Sequence, residues 1–214
     1  MSDQGFSPVG DDKRLLRNAP VQARSAARLE ALLDATAAVL DDVGMERLTT
    51  ALVAERAGAS IGTVYRYFPD RVTLLQALAA RNLERLEERI DAIIPATAGS
   101  AADAFEAVAE VFVSMFRTEP GFRSLRLGDV LDLRDTGTTE SAKARLARSI
   151  ADAMTVAHDD LDAESLVGRL DVALEVLDSL VTRAFLSDPA GDGRFLAPAR
   201  HTYLSLLGER VLAA

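Results

Sequence analysis

The chain has 214 residues, of which 49% are hydrophobic, 24 are Lys or Arg and 33 are Asp or Glu, so its formal net charge is −9. No apolar run approaches the roughly 18 to 20 residues needed to cross a bilayer, which excludes a membrane-spanning protein. The absence of Cys excludes disulfide frameworks, thiolate metal sites and cysteine nucleophiles. Residues 1–10 lack the apolar centre of a secretory signal, and we therefore expect a cytoplasmic protein.

The negative charge is concentrated in the second part of the chain. Residues 1–90 carry 12 basic and 13 acidic residues, whereas residues 91–214 carry 12 basic and 20 acidic ones. The stretch 13–29 contains no acidic residue and these basic ones: Lys13, Arg14, Arg17, Arg24 and Arg28. Such a cluster can bind a polyanion although the whole chain is acidic. Because 22 of the 24 basic residues are Arg, it can equally be a chance grouping.

Apolar residues at a spacing of 3.6 predict an all-α fold of about nine helices. Residues 1–21 show no periodicity and are predicted to form a flexible basic tail. The first helix follows and ends at Gly44. Two short helices, Thr50 to Arg56 and Ile61 to Phe68, precede a long helix that starts after Asp70. The remaining helices are predicted over 101–117, 121–132, 139–157, 163–187 and 195–213.

The stretch TTALVAERAGASIGTVYRYFPDR, from Thr49 to Arg71, predicts two short helices that cross at a turn centred on Gly58. Ser60 can cap the second helix, and the small Ala54 and Ala57 allow a close crossing. The second helix then leaves a face without acidic residues exposed to solvent. This face consists of Ile61, Gly62, Thr63, Tyr65 and Arg66.

Two interpretations of this stretch are open. One is an ordinary three-helix corner in which Tyr65 and Phe68 are core aromatics. The other is a DNA-binding helix-turn-helix, favoured by exposed hydroxyl groups that bond phosphates and by Gly62, which permits close backbone approach. Arg71 lies in the first turn of a helix, where its charge opposes the helix dipole, so we expect a bound phosphate to favour its placement.

The same stretch resembles the TetR family of bacterial transcriptional regulators. The residues that match are Gly44, Thr50, Val53-Ala54, Ala57 to Ser60, Gly62 to Tyr65, Tyr67-Phe68 and Arg71. Ala59 replaces a usual valine, Ile61 stands where a polar or small residue is common, and Arg71 replaces lysine. The resemblance implies a helix-turn-helix DNA-binding domain over 22–69 and a larger helical ligand-binding and dimerisation domain over 70–214.

The resemblance also implies roles for individual residues. Arg66 is the natural candidate for a guanine contact, and Ile61 can meet a thymine methyl group. The candidates for contacts at base edges are Ile61, Gly62, Thr63 and Arg66, and Ser60 is a further candidate for DNA binding. The candidates for phosphate contacts are Thr50, Tyr65, Tyr67, Arg71, Arg24 and Arg28. The tail residues Lys13, Arg14 and Arg17 are candidates for the minor groove.

The stretch 166–185 carries an apolar face wider than one neighbouring helix covers. Together with the last helix it predicts a four-helix bundle across a two-fold axis, which suits a palindromic operator. The alternative is that these stripes form the core of a single chain. The predicted dimer residues are Leu170, Leu174, Leu177, Val181, Phe185, Tyr203, Leu204, Leu207 and Val211.

Aromatic and Met residues of the middle helices fall where ligand pockets of the family lie, although such stripes are more often plain core. The candidate pocket residues are Phe105, Phe112, Met115, Phe116, Phe122, Arg126, Asp129, Val130 and Met154. Arg126 and Asp129 can anchor a polar ligand or pair with each other at i, i+3. His158 and His201 each stand alone, so neither a metal nor a cofactor is expected.

The sequence thus predicts a transcriptional regulator, expected to be a repressor, that binds a palindromic operator in double-stranded DNA as a homodimer. A small-molecule effector is expected to release it. The alternative is a helical ligand-binding protein or an enzyme without a DNA-binding role. The sequence contains no phosphate-binding glycine loop, zinc motif or nucleophile elbow, and no catalytic residue is expected.

Overall fold

The computed structural model describes the backbone of residues 12–97, 99–125 and 141–213, and within these ranges the side chains from residue 23 onward. The regular structure in these ranges is helical, as predicted. The helices are α1 (Asp12–Val43), α2 (Thr50–Arg56), α3 (Ile61–Tyr67), α4 (Arg71–Ile93), α5 (Ala101–Thr118), α6 (Ala142–Ala157), α7 (Ala163–Phe185), α8 (Gly193–Leu207) and α9 (Glu209–Leu212). None of the described helices has the length and apolar character needed to span a membrane.

Local signals define the short helices α2 and α3. The hydroxyl oxygens of Thr49 and Ser60 accept hydrogen bonds from the backbone N–H groups of Leu52 and Thr63, at 3.2 and 3.1 Å. These bonds satisfy donors that have no partner within a helix. Gly58 has a φ of +58°, a left-handed conformation that lets the chain turn sharply between the two helices. The predicted cap and turn are therefore confirmed.

The helices enclose two hydrophobic cores that share α4. The N-terminal core, formed by α1 to α3 and the first turns of α4, includes the fully buried Val53, Val64 and Leu74. The second core lies in the body, by which we mean the rest of α4 and α5 to α9, and it includes Leu86 of α4 together with the apolar faces of α5 to α8. Because α4 is continuous through both, the boundary predicted at residues 69–70 is not a break in packing.

The N-terminal end of α1 lies earlier than predicted. The helix begins at Asp12, whereas a tail was predicted as far as residue 21. Residues 12–19 include Lys, Arg, Leu and Ala, which have high helix propensity. This local propensity explains the helix, even though the same residues carry no apolar stripe.

Two of the helices predicted for the body are interrupted at glycines in the structure. Gly121 has a φ of +76°, and residues 121–125 form turns instead of the start of a helix over 121–132, the rest of which lies outside the described residues. Gly208 has a φ of +88° and divides the segment predicted as one helix into α8 and α9. In both places a left-handed backbone interrupts an otherwise helical pattern.

Candidate nucleic-acid interface

The exposed face of α3 carries the residues predicted to meet DNA. Ile61 is 48% exposed and Tyr65 is 49% exposed, an unusual exposure for large apolar and aromatic side chains. Val64, on the opposite face of the helix, is fully buried. Phe68 is also buried, whereas Tyr65 is not, so the core interpretation holds only for Phe68. The residues of α3 exposed to solvent are Ile61, Gly62, Tyr65 and Arg66.

Hydroxyl groups cluster at the N-terminal end of this face. Ser60 is exposed, and its hydroxyl lies 2.9 Å from that of Thr63. The Ser60 oxygen also caps α3 through the backbone N–H of Thr63. Both hydroxyls are therefore held at the end of the helix where positive dipole and free N–H groups favour an anion.

Thr50 lies at the start of α2 as predicted, but its side chain is 9% exposed. Its hydroxyl donates a hydrogen bond to the Tyr65 hydroxyl at 3.3 Å. This bond leaves Tyr65 at the surface and Thr50 beneath it. In the protein alone, Thr50 thus orients Tyr65 and does not present an open phosphate-binding hydroxyl.

A shallow groove of about 570 Å³ runs between the middle of α1 and α3. It is lined by Arg24, Ser25, Ala27, Arg28, Ala31, Arg66 and Tyr67. Among the side chains that the structure describes, three guanidinium groups and no carboxylate contribute to this lining. The structure thus brings the predicted Arg24 and Arg28 together with Arg66. We call the groove with this lining the arginine groove. The side chains of Lys13, Arg14 and Arg17 lie outside the described part of the chain.

Tyr67 connects the two walls of the arginine groove. Its hydroxyl lies 3.2 Å from the Ser25 hydroxyl, and the Arg66 guanidinium lies 5.3 Å from its ring centroid. The hydrogen bond with Ser25 lowers the pKa of the Tyr67 phenol, and the positive charges of Arg66 and Arg28 act in the same direction. Ser25 was missed by the sequence reasoning, because no local pattern links it to a tyrosine 42 positions away.

Arg71 has a different partner from the one predicted. Its guanidinium donates a hydrogen bond to the backbone carbonyl of Met45, in the loop between α1 and α2. The capping carboxylate of Asp70 accepts from the backbone N–H of Thr73 at 2.7 Å, a bond that lowers the pKa of Asp70. This adjacent negative charge offsets the unfavourable position of Arg71 at the helix start. The loop carbonyl thus satisfies part of the guanidinium group, whose buried Nε has no partner among the described residues, and the phosphate contact of Arg71 stays a prediction.

The candidate pocket residues of the body lie mainly in its packed core. Those that are described have an exposed fraction of 2% or less: Phe105, Phe112, Met115, Phe116, Phe122 and Met154. The rings of Phe112, Phe116 and Phe122 cluster, with centroid distances of 5.6, 6.1 and 5.2 Å. Arg126, Asp129 and Val130 lie outside the described residues.

Phe116 also reaches a second, half-open cavity at the junction of the body with α1. The volume of this junction cavity is about 390 Å³. Its lining consists of Asp41, Phe116, Arg123, Ser124, Thr182, Phe185 and Leu186. The Phe116 and Phe185 rings stack at 5.5 Å, and the Arg123 guanidinium lies 5.6 Å from the Phe185 centroid. The cavity thus combines an aromatic wall with a cation.

Most of the predicted dimer residues are buried within a single chain. Those with an exposed fraction of 6% or less are Leu170, Leu174, Leu177, Val181, Phe185, Tyr203 and Leu207. This corrects the prediction for these positions, because side chains already covered by their own chain cannot offer area to a partner. Leu204 and Val211 are partly exposed. The outward face of α7 instead exposes Gly168 and Val172, the latter at 53%.

The two histidines occupy separate places. His158 is buried and forms the C-cap of α6, whereas His201 is exposed on α8. Within the described ranges, no group of three or more His, Asp or Glu residues is placed to hold a metal ion.

Comparison with known proteins places the chain in a family. Residues 32–78 match the family model "Bacterial regulatory proteins, tetR family", and residues 99–211 match "Tetracyclin repressor-like, C-terminal domain". The HTH-type transcriptional repressor KstR of Rhodococcus jostii (strain RHA1) is 45% identical over 62 residues, which are 29% of this chain and 29% of the repressor.

Similar solved structures cover more of the chain. A TetR-family transcriptional regulator from Streptomyces coelicolor is 34% identical, with a TM-score of 0.71, over 86% of this chain and 99% of that one. Thermus thermophilus FadR, a TetR-family repressor solved with lauroyl-CoA, covers 87% of this chain and 96% of its own with 17% identity and a TM-score of 0.56, a likeness of fold alone. The chain thus belongs to the TetR family of bacterial regulatory proteins.

Proposed function

We propose that this protein is a sequence-specific transcriptional repressor that binds a palindromic operator as a homodimer in the cytoplasm and is released by a small molecule. The observation that carries the proposal is the exposed face of α3 beside the arginine groove. A short exposed helix can enter a major groove, and the guanidinium groups beside it can neutralise the flanking phosphates.

The electrostatics of the α3 face support DNA as the partner. Arg24, Arg28 and Arg66 line one groove to which no carboxylate of the described residues contributes, although the whole chain carries a net charge of −9. The positive charge of this groove attracts the phosphate backbone, while the excess of acidic residues in 91–214 repels it. Specific docking through α3 is thereby favoured over loose binding.

The proposal is tested by selecting bound sequences from random double-stranded DNA. We expect enrichment of a two-fold symmetric site with half-sites about 34 to 36 Å apart, and an affinity that falls steeply with salt. Gel-shift titration of the enriched site then measures affinity. Absence of both enrichment and salt-dependent binding would refute a DNA-binding function and favour a helical ligand-binding protein.

The proposed dimer uses the outward face of α7 and α8. α7 packs extensively against α8. The outer side of α7 exposes Gly168 and Val172, with Val176 partly exposed, and α8 exposes Ala197. Small residues allow helices to approach closely, and valines supply apolar area. We propose that this face meets its copy across a two-fold axis in a four-helix arrangement.

The proposed effector site is the junction cavity. Its volume of about 390 Å³ lies within the range of roughly 300 to 1,000 Å³ typical of small-molecule sites. The stacked Phe116 and Phe185 rings favour an aromatic or apolar molecule, and Arg123 favours an acidic or hydroxyl group on it. A thermal-shift screen of such molecules, followed by release of the selected DNA as the readout, tests this assignment.

A further inference from the structure

We propose that the turn at residues 119–125, which follows α5, is a clamp that sets the orientation of the DNA-binding unit, α1 to α3, on the body. In this clamp Asp41 of α1 and Glu119 of the turn are positioning residues. Its effect on DNA affinity rests on the proposed function, but the clamp itself can be tested without DNA.

The clamp holds α1 through Asp41. The backbone N–H of Gly121 donates to one carboxylate oxygen of Asp41 at 2.9 Å, and the Ser124 hydroxyl donates to the other at 3.4 Å. Both oxygens therefore bind the same turn, which lies 80 positions away in the chain. Hydrogen bonds to a charged acceptor are stronger than bonds between neutral groups.

Gly121 brings the turn against the backbone of α1. A Cβ atom at this position would lie 3.1 Å from both Cα and Cβ of Ala37 and 3.3 Å from a methyl carbon of Leu78. The φ of +76° adds strain for any residue with a side chain. A side chain at this point would therefore strain the turn and push it away from α1 by a few tenths of an ångström.

Apolar residues of the same turn enter both cores. Phe122, 2% exposed, packs in the core of the body, and Leu125, 3% exposed, packs in the N-terminal core. One short turn thereby contributes a buried side chain to each of the two cores. A rotation of one unit against the other must pull at least one of these side chains from its core.

Glu119 attaches the turn to α4. Its carboxylate, 6% exposed, pairs with Arg85 and lies 2.9 Å from the Arg89 guanidinium. Arg85 continues the chain of charges to Glu30 of α1 at 3.5 Å. A buried carboxylate with two guanidinium partners resists displacement, because separation would leave its charge uncompensated.

The junction cavity lies directly against the clamp. Asp41 and Ser124, which form the hydrogen bonds described above, also line that cavity. A small molecule in it would therefore touch the residues that hold α1 in place. Occupation of the cavity can alter the orientation of the DNA-binding unit if the molecule binds better to the opened clamp.

The absence of Cys allows the clamp to be tested by spin labelling. One spin label is attached at Glu46→Cys, in the exposed loop after α1, and the other at Asp152→Cys, on the exposed side of α6. Their separation reports the distance between the two units when labelled chains are diluted with unlabelled ones. We expect Asp41→Ala to broaden or shift this distance distribution in electron–electron double resonance. The matched control is Asp42→Ala, which also removes one negative charge from the end of α1. Asp42 pairs with Arg56 inside the DNA-binding unit and not with the clamp.

A second pair of variants tests the fit of the glycine. Gly121→Ala is expected to broaden the distribution, whereas Gly99→Ala, whose Cβ meets no atom within 4 Å, is expected to leave it unchanged. Ser124→Ala removes one of the two bonds to Asp41 and keeps the test valid if Gly121→Ala fails to fold. The clamp variants are also expected to weaken operator binding about fivefold or more.

The clamp is refuted if Asp41→Ala and Ser124→Ala give the same distance distribution as wild type and as the control variants. If the wild-type chain has no DNA affinity, the proposed function fails, and the distance measurement alone still decides the clamp. Circular dichroism of each variant shows whether the helical fold is retained.

Discussion

Arg66 and Arg28 line the same groove but are expected to contact different parts of the DNA. Arg66→Ala should relax the base preference at one position of each half-site, at a cost of about 1 to 3 kcal/mol. Arg28→Ala should weaken binding to all sequences equally and reduce the salt slope by about 1, because it removes a phosphate contact. Anisotropy titrations with singly substituted sites at several salt concentrations measure both effects.

The control for these two variants is Arg47→Ala. Arg47 is exposed and donates to the backbone carbonyl of Val43, outside the arginine groove. Its loss should change affinity less than the loss of Arg28. A uniform loss of affinity in Arg66→Ala, without any change in base preference, would contradict the assigned base contact.

Tyr203 carries a buried hydroxyl without a hydrogen-bond partner among the described residues. Burial raises the pKa of this phenol, so the folded state keeps the proton at a pH where the unfolded chain loses it. Stability should therefore fall as the pH rises above about 10, the usual tyrosine pKa. Tyr203→Phe removes the unpaired hydroxyl and should raise stability by roughly 1 kcal/mol at neutral pH.

Thermal unfolding of wild type and Tyr203→Phe at neutral and alkaline pH checks this prediction. The advantage of the variant should grow with pH, because it lacks the ionisation that favours the unfolded state. A lower melting temperature for Tyr203→Phe would show that the hydroxyl has a stabilising partner.

Side-chain roles on α3 were predictable from the sequence where they depend on local position. The exposure of Tyr65 and the capping by Ser60 follow from helix periodicity and from neighbouring residues. The partner of Arg71 was not predictable, because the Met45 carbonyl reaches it only through tertiary packing. The same is true of the contact between Ser25 and Tyr67.

At the scale of the element, a substitution at Gly62 is expected to affect the stability of α3 and its DNA binding in opposite directions. It is the second residue of the helix, has no positive φ, and an added Cβ would meet only the Ser60 oxygen at 3.9 Å. Gly62→Ala should therefore leave the fold intact or stabilise it by about 0.5 to 1 kcal/mol. It should nevertheless weaken DNA binding, since the methyl group keeps the backbone from approaching the DNA.

Gly193→Ala is the matched control for Gly62→Ala. Gly193 is also at the beginning of a helix and in open space, but it lies on α8 of the body. Thermal unfolding and gel-shift titration of both variants give the comparison. Equal DNA affinity in the two variants would mean that α3 does not approach DNA closely at Gly62.

The ends of helices were predictable where local residues such as glycine or a capping side chain mark them. They were not predictable where tertiary packing determines the backbone conformation. Gly44 follows the end of α1, Gly58 lies in the turn between α2 and α3, and Asp70 caps the start of α4, as predicted. The turn after α5 was predicted as helix, because nothing in its apolar pattern reveals that Gly121 rests on α1. The wide apolar face of α7 was assigned to a partner chain, whereas α6 and α8 of the same chain cover it.

At the scale of the whole molecule, the outward face of α7 and α8 predicts the oligomeric state. Val172→Glu should convert a dimer into monomers, because a carboxylate buried at the interface loses its hydration without gaining a partner. Val156→Glu is the control, since Val156 is 85% exposed on α6 and lies off this face. Sedimentation velocity of both variants measures the change, and an intact Val172→Glu dimer would place the interface elsewhere.

The length of α1 gives the junction a mechanical consequence. Arg28 at the arginine groove and Asp41 at the clamp lie on this one helix, separated by roughly 20 Å at the usual helical rise. A tilt of about 5° around the clamped end carries the groove through about 2 Å, several times the window of about 0.5 Å within which hydrogen bonds form. The helix therefore acts as a lever, and a slight yielding of a turn in the body is enough to take the arginines out of register with the phosphates.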